Sequence, residues 1–216
     1  MLYIKIKRIL DIILSAMLLI VFAIPMAIVA IGIKLEDGGP VIYKSNRVGK
    51  NLKEFNTYKF RSMKTKREEL HSTLSHEQMV TNIGRFIRKT SLDELPQLVN
   101  VLKGEMSFIG PRPWIPEYYK WFTDEQKRRI EVLPGISGLA QVRGRNGIDI
   151  LKKIEYDIEY VDNISFKQDV IIAFETIITV FSKTNAEITE NGIKEEINEL
   201  KTQRISLEEN IYKEVI

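Results

Sequence analysis

The sequence contains no cysteine and only two histidines in 216 residues. Without cysteine the chain can form no disulfide, thiolate metal site or thiol nucleophile, which fits a reducing compartment. His71 and His76 lie in a polar stretch where surface histidines are common, so we assign them no role. No P-loop, GxGxxG pattern or zinc-ligand spacing occurs, and an ATPase, a dinucleotide enzyme or a zinc hydrolase therefore lacks support.

The net charge is small but unevenly distributed along the chain. The formal charge is +3, and residues 184–216 carry eight Glu against four basic residues, a net of −4 that leaves +7 on residues 1–183. A basic body predicts an anionic partner, such as a phosphate ligand, a nucleic acid or an acidic membrane surface. At this length we expect one domain with one appendage.

One long apolar run lies near the N-terminus. Residues 9–33, ILDIILSAMLLIVFAIPMAIVAIGI, contain only Asp11 and Ser15 as clearly polar members. At about 1.5 Å per residue such a helix could cross a bilayer core of about 30 Å. The run is longer than the apolar part of a signal peptide and has no small-residue cleavage site before Lys34, so we expect it to remain in a membrane.

Pro25 lies near the middle of this run and predicts a break, because proline removes one backbone hydrogen bond and clashes with the preceding turn. Basic residues flank the run on both sides, within residues 5–8 and 34–50. Since Lys and Arg favour the cytosolic side, a simple span would place one cluster outside, whereas a helix that bends and returns keeps both inside. On these residues alone, a kinked transmembrane helix and a re-entrant helix are equal alternatives.

The rest of the sequence predicts little strand and several helices. Two short strands, PVIYKS and EFNTYKF, are separated by a turn around Gly49. Further patterns predict a short helix IGRFIRK, a helix over 116–133 and an amphipathic helix over 150–161. An apolar helix over 170–182 is predicted to be buried or to lie against lipid, and a polar helix is predicted beyond 183. The predicted fold class is α+β and mainly helical.

Two adjacent acids, Asp93 and Glu94, precede a short apolar segment. Ser91 and Glu94 have the spacing of a capping box, which places both acids in the first turn of a helix, although Pro96 leaves the boundary open by a residue or two. There the acids could simply complement the helix dipole, each contributing about 0.3–1 kcal/mol. The same dipole is expected to keep both carboxylates ionised.

The pair could also carry chemistry. Adjacent carboxylates can hold Mg²⁺, which keeps several waters and bridges to substrate phosphates, and a carboxylate can attack phosphorus directly. The rigid turn GPRP at 110–113 presents one of several basic side chains suited to phosphate. These basic residues are Lys59, Arg61, Arg85, Arg88, Arg112, Arg143 and Arg145. Together they suggest phosphoryl transfer on a diphosphate, although such arginines are also common on solvated surfaces.

Four motifs, taken in order, resemble one known family. YKFRSM, TSLDELPQLVNVLKGEMSFIGPRP, PGISGLAQVRGR and YVDNISFKQDVIIAFETI closely resemble the bacterial sugar transferases, specifically the small monotopic phosphoglycosyl transferases, over residues 5 to about 182. The resemblance implies transfer of a phosphosugar from a UDP-sugar to undecaprenyl phosphate, with release of UMP. It also implies a covalent phosphosugar intermediate and Mg²⁺ as cofactor.

The resemblance implies roles for individual residues. Asp93 matches the attacking carboxylate, and Glu94 matches its partner in the dyad that holds Mg²⁺. Arg112 matches the phosphate-binding Arg of GPRP. Further active-site positions, with less defined roles, fall on Arg88, Arg145 and Asp169. Lys59 and Arg61 are candidate phosphate-binding residues because of their charge, without a role implied by the resemblance. Pro25 matches the break in a helix that re-enters the cytosolic leaflet, which favours the re-entrant alternative.

These inferences predict three segments and a location. We expect a re-entrant membrane helix over 1–36, a cytosolic catalytic domain with amphipathic interfacial helices over 37–183, and a polar helical tail over 184–216. The resemblance implies a monotopic protein on the cytosolic face of the bacterial inner membrane. The expected partners are UDP-sugar, undecaprenyl phosphate and membrane lipid, with no nucleic acid, and the tail is available for homo-oligomer formation.

Two positions depart from the family pattern, and two other functions compete. Ser45 stands where a Gln is frequent and Leu52 where Gly is common, so a Gln contact is missing and the hairpin is expected to differ. The first competing function is a membrane-anchored basic scaffold that binds anionic lipid and whose acids only cap a helix. The second is a Mg²⁺-dependent diphosphate hydrolase, which would release UMP without any lipid phosphate.

Overall fold

The computed structural model describes residues 2–65, 75, 77–144, 148–181 and 190–215. This part of the chain is mainly helical with two small two-stranded sheets, which confirms the predicted α+β class. It forms two compact units, the first comprising Met1–Ser45 and Asn56–Phe108 and the second Asn46–Phe55 and Ile109–Ile216. The division into 1–36, 37–183 and 184–216 stays a prediction.

The N-terminal apolar run forms two helices with a bend between them. Helix α1 covers Leu2–Val21 and α2 covers Ala23–Asp37, bent by 61° across Phe22. Pro25 lies in the first turn of α2 and has no N–H to donate to Val21, which explains the break on its N-terminal side. Among the described residues no single helix is long and apolar enough to cross a membrane, whereas the bent pair meets both criteria together.

The first unit also contains part of a hairpin, whose residues Asn46–Phe55 belong to the second unit, and two further helices. Strands β1 (Ile42–Val48) and β2 (Glu54–Phe60) pair, followed by α3 (Asn82–Lys89), a 3₁₀ turn (Leu92–Glu94) and α4 (Gln97–Lys103). Both predicted strands and the IGRFIRK helix are confirmed. A buried cluster joins α2, β2 and α3 through Val29, Ile33, Phe60 and Ile87.

Helix α1 turns its polar side inward and its apolar side outward. Asp11 and Ser15 are buried, and Asp11 accepts a hydrogen bond from the backbone N–H of Phe108 at 3.3 Å. Arg8 donates to the last-turn carbonyls of α4, with its Nη1 2.6 Å from Val101 O and its Nη2 2.9 Å from Leu102 O. These polar contacts hold α1 to the first unit, while eleven large apolar side chains remain exposed: Leu2, Ile4, Ile6, Ile9, Leu10, Ile12, Ile13, Leu14, Met17, Ile20 and Val21.

The second unit consists of short elements followed by three longer helices. Strand β3 (Ser107–Ile109) pairs with β4 (Gly135–Ser137). The helices are α5 (Asp124–Lys127), α6 (Leu139–Arg143), α7 (Ile150–Asp162), α8 (Phe166–Phe181) and α9 (Glu190–Val215). The predicted helices near 150–161 and 170–182 are confirmed as α7 and α8.

The prediction of one helix over 116–133 was wrong. The segment divides into a 3₁₀ helix (Pro116–Lys120), α5 and a second 3₁₀ helix (Arg128–Ile130). Thr123 has an extended backbone and forms a capping box with Gln126, so a new helix starts there. The break lets the aromatic side chains before it enter the core.

The C-terminal helix α9 packs onto the core of its own unit. Leu200 is fully buried and Ile193 and Ile197 are partly buried against a cluster that includes Tyr118 and Ile154. The apolar side of this otherwise polar helix is therefore covered. Polar contacts accompany it, since Glu196 accepts hydrogen bonds from Tyr118 and from Lys153 on α7.

Candidate active site

The two adjacent acids lie in a tight turn between α3 and α4. Ser91 has a φ of 56°, a left-handed conformation unusual for a residue other than glycine, and it directs the chain into the 3₁₀ turn that carries Asp93 and Glu94. The predicted capping box was wrong, because Ser91 makes no side-chain cap and Pro96 occupies the N-cap of α4. The acids therefore precede the α-helix instead of forming its first turn.

Asp93 is partly buried, and its carboxyl group is a weaker acid than an ordinary aspartic acid. Burial, followed by the neighbouring charge of Glu94, raises the pKa of Asp93 from 3.8 to about 6, against the lowering effects of Lys59 and Arg88. A pKa of about 6 still leaves most of this carboxylate ionised at neutral pH, but the expected cause, the dipole of an α-helix that contains it, was wrong. Asp93 lies outside the α-helix, and desolvation is the largest effect on its charge.

Two basic residues accompany the acids in the first unit. Lys59 on β2 places its Nζ 2.5 Å from Glu94 Oε1, with 27% and 21% of the two side chains exposed. Arg88 on α3 donates from Nε to Ser62 Oγ at 2.8 Å, and its charge lowers the pKa of Asp93. The structure thus brings together four of the predicted site residues: Lys59, Arg88, Asp93 and Glu94.

The chemistry of the donors fits a magnesium ion only in part. Among the residues that the structure describes, no group of three or more His, Asp or Glu is arranged to hold a metal. Mg²⁺, however, is commonly held by one or two carboxylates, with waters and substrate phosphates completing its coordination. Asp93 and Glu94 are two such oxygen donors, and their mutual repulsion would be relieved by a cation. The pair therefore fits a site completed by substrate.

Arg61 is bound elsewhere in the first unit. It is 8% exposed, and all three guanidinium nitrogens have partners. Nη1 and Nη2 pair with both carboxylate oxygens of Asp37 at the end of α2, and Nε donates to Pro40 O at 2.6 Å. These contacts hold the segment after α2 against the residue that follows β2, so we do not assign Arg61 to phosphate binding.

The remaining predicted residues belong to the second unit or lie outside the described ranges. Arg112 is exposed in the GPRP turn. Asp169 is 8% exposed near the start of α8, and its Oδ1 accepts from the hydroxyl of Tyr160 at 2.7 Å. Arg145 lies outside the described residues.

Two residues around these sites were not predicted from the sequence, and a third was given the wrong role. Ser62, the partner of Arg88, stands inside the YKFRSM motif, which was a signal for it. Ser91 was predicted to cap a helix, and nothing in the neighbouring sequence indicates its positive φ. Arg129 was missed because its partners are Asp157, on α7, and the backbone of Arg112.

The chain matches a family described as bacterial sugar transferase over residues 2–183. It is 44% identical over 171 residues to the uncharacterized sugar transferase EpsL of Bacillus subtilis, a match that covers 79% of this chain and 85% of that protein.

Two further relatives are named for an activity. The galactosyl transferase CpsE of Streptococcus agalactiae is 43% identical over 166 residues, covering 70% of this chain and 37% of that protein. The undecaprenyl-phosphate galactose phosphotransferase of Salmonella typhimurium is 40% identical over 197 residues, covering 83% of this chain and 41% of that protein. The matched region thus spans less than half the length of these two relatives.

Proposed function

The chain belongs to the bacterial sugar transferase family, and from this premise we propose that it transfers a sugar-1-phosphate from a UDP-sugar to undecaprenyl phosphate, with release of UMP. One relative is named an undecaprenyl-phosphate galactose phosphotransferase, which supports the acceptor and the transfer of a sugar phosphate. This would be a first membrane step of glycoconjugate assembly. The observation that carries the proposal is a partly desolvated Asp93 with Glu94, Lys59 and Arg88 around it.

Asp93 is proposed as the nucleophile. One of its Oδ atoms attacks the sugar-linked phosphorus of the donor, and an O–P bond forms as the bridging P–O bond breaks. UMP leaves with the bridging oxygen and its electron pair. An oxygen of undecaprenyl phosphate then attacks the same phosphorus, and Asp93 departs as a carboxylate. With a pKa of about 6, most Asp93 is ionised at neutral pH, and its partial dehydration lowers the cost of removing water before attack.

The surrounding charges suit this reaction. Lys59 holds Glu94 through the 2.5 Å contact, and with Arg88 it favours the ionised form of Asp93. Glu94 and Asp93 are the residues that would hold Mg²⁺. When bound, this ion would neutralise charge on the diphosphate oxygens. We propose phosphate binding for Arg112, on the resemblance stated above.

We further propose that the apolar faces contact lipid. The exposed apolar surface of α1 continues onto α2 through Ile24, Ile28, Ile31 and Leu35. Exposed apolar surface of this extent is typical of membrane contact, and a polar inner side with an apolar outer side is the pattern of a helix surrounded by lipid. With basic residues at both ends, the bent pair would re-enter the cytosolic leaflet.

Helix α8 adds a second apolar face in the second unit. Phe166, Val170, Phe174 and Ile177 recur at helical spacing and are each more than half exposed. A helix that exposes such a stripe can lie in the plane of a membrane interface. This supports the predicted interfacial helix and a monotopic location on the cytosolic face.

The reaction can be tested with full-length protein in bilayer nanodiscs. A panel of UDP-sugars is supplied with and without undecaprenyl phosphate, and UMP release and the lipid product are followed over many turnovers. We expect multiple turnovers only when lipid phosphate is present, a phosphosugar mass adduct on Asp93 without it, and neither with Asp93→Asn. Asp124→Asn, an exposed acid of the second unit, serves as the matched control.

Other outcomes would support the competing functions. Continued UMP release without lipid phosphate would indicate a diphosphate hydrolase, and no release with any donor would favour the scaffold. The cysteine-free sequence also allows a direct topology test, with single cysteines at the exposed positions Lys5 and Lys44 labelled by a membrane-impermeant reagent. Re-entry predicts labelling of both from the cytosolic side only, and a span predicts opposite sides.

A further inference from the structure

The GPRP turn of the second unit is held by hydrogen bonds to its backbone. Gly135 N donates to Pro111 O and Val48 N to Trp114 O, both at 2.9 Å. The carbonyl of Arg112 differs, because it accepts from a side chain, with Arg129 Nη2 at 2.6 Å. Gly110 N at the start of the turn donates to Ser137 O at 2.9 Å, but the two prolines have no N–H to contribute, so beyond Gly110 these carbonyl contacts help to hold the Arg112 backbone.

Arg129 is one of the most deeply buried charged residues of the described chain. It is 2% exposed, and its Nε and Nη2 donate to Asp157 Oδ2 at 3.0 and 2.6 Å. Nη1 donates to the hydroxyl of Tyr119 at 2.6 Å, and the guanidinium carbon lies 4.0 Å from the centre of the Trp114 ring. The guanidinium plane is thus fixed on its edges and on one face.

The need for stability alone does not explain the buried ion pair of Arg129 and Asp157. Burying two charges carries a desolvation penalty that their attraction offsets only when all remaining polar atoms are satisfied. Asp157 Oδ1 is buried without a hydrogen-bond partner, so that condition is not met here. An apolar pair of similar volume would serve packing as well or better. What an apolar pair could not supply is the hydrogen bond to the carbonyl of Arg112.

We propose that Arg129, oriented by Asp157, is a positioning residue for Arg112, and that it sets the affinity for the substrate phosphate. The inference rests on the proposed function and on the phosphate-binding role of Arg112. The Arg112 side chain is exposed and long, so the direction in which it can reach a phosphate depends on how firmly its backbone is held. Arg129 touches no substrate in this proposal and acts only through the backbone of residue 112.

Arg129→Lys is the first test. Lysine keeps the positive charge beside Asp157, but its single ammonium cannot replace a planar group that reaches Asp157, Tyr119 and the Arg112 carbonyl at once. We expect the KM for the UDP-sugar to rise and kcat/KM to fall by about 10- to 100-fold, the scale of a small misplacement of a binding group.

A matched control and a double variant separate positioning from general destabilisation. Ile154→Val removes one buried carbon atom from the core of the second unit and takes no part in these hydrogen bonds, so it should lower the unfolding midpoint and leave KM unchanged. Combining Arg129→Lys with Arg112→Ala should cost no more than Arg112→Ala alone, because an effect exerted through Arg112 disappears with that side chain. If Arg129→Lys fails to fold, Arg129→Met with Asp157→Leu removes both buried charges and is expected to fold with the same rise in KM.

The possible results separate the positioning role of Arg129 from the proposed transferase function on which it rests. An inactive wild type overturns the proposed function and the inference together. With an active wild type, two results overturn the inference alone. One is that the losses of kcat/KM from Arg129→Lys and Arg112→Ala multiply in the double variant, and the other is that Arg129→Lys costs no more than Ile154→Val. Non-additive losses expressed in KM support it.

Discussion

Asp93→Asn should stabilise the protein while abolishing its activity. The carboxyl of Asp93 has its pKa raised from 3.8 to about 6, mainly by burial and then by the charge of Glu94. A difference of about two pKa units corresponds to roughly 3 kcal/mol at about 1.36 kcal/mol per unit, an upper value for a partly buried group. Asparagine has a similar shape and cannot ionise, so it removes this cost.

The pH dependence fixes the sign of the effect. A carboxyl with a raised pKa holds its proton more tightly in the folded chain than in the unfolded chain, so ionisation costs stability. The cost is absent below about pH 3.8, develops between there and about pH 6, and is complete above it. We therefore expect Asp93→Asn to raise the free energy of unfolding by up to about 3 kcal/mol at pH 8 and by about half as much at pH 5.

Unfolding midpoints in nanodiscs, measured in EDTA from pH 5 to pH 8, would test this prediction. For a chain of this size, 3 kcal/mol corresponds to a shift of about 6–12 °C. Asp124→Asn is the control, because its carboxyl has a pKa lowered by the hydrogen bond from Lys127, and its loss should not stabilise. An Asp93→Asn midpoint equal to that of the wild type at pH 8, or a gain that does not shrink on acidification, would refute the reasoning.

Three further outcomes are expected. Mg²⁺ should raise the unfolding midpoint of the wild type and not that of Asp93→Asn, since a ligand stabilises only a protein that binds it. An equal rise in both proteins would argue against a Mg²⁺ site at Asp93 and Glu94. Lys59→Met should shift the acidic limb of the kcat profile to higher pH, because Lys59 lowers the pKa of Asp93, and an unmoved limb would contradict that coupling. Leu52→Gly should raise the free energy of unfolding by about 0.5–1 kcal/mol in chemical denaturation, because Leu52 has a φ of 61°, which strains a residue with a Cβ atom. Leu52→Ala keeps this strain, so a similar gain from Leu52→Ala would exclude backbone strain as the cause.

Local patterns in the sequence were sufficient for much of the fold. The hairpin over 42–60 follows from β-branched and aromatic residues around a turn, and α7 and α8 follow from their apolar periodicity. The break between α1 and α2 lies where Pro25 forbids a hydrogen bond. These features depend on residues within a few positions of one another. By contrast, the prediction of one helix over 116–133 was wrong, because Thr123 begins a new helix and the aromatic side chains before it pack into the core.

By itself the sequence determined that Asp93 and Glu94 are adjacent, that a broken apolar segment precedes them, and that basic residues suited to phosphate accompany them. Only the tertiary structure decided the burial of these groups and their contacts. It raised the pKa of Asp93, tied Arg61 to Asp37, and placed a buried Arg129 against a residue 28 positions away. Desolvation and buried ion pairing depend on which distant segments exclude water together, and no periodicity along the chain encodes that.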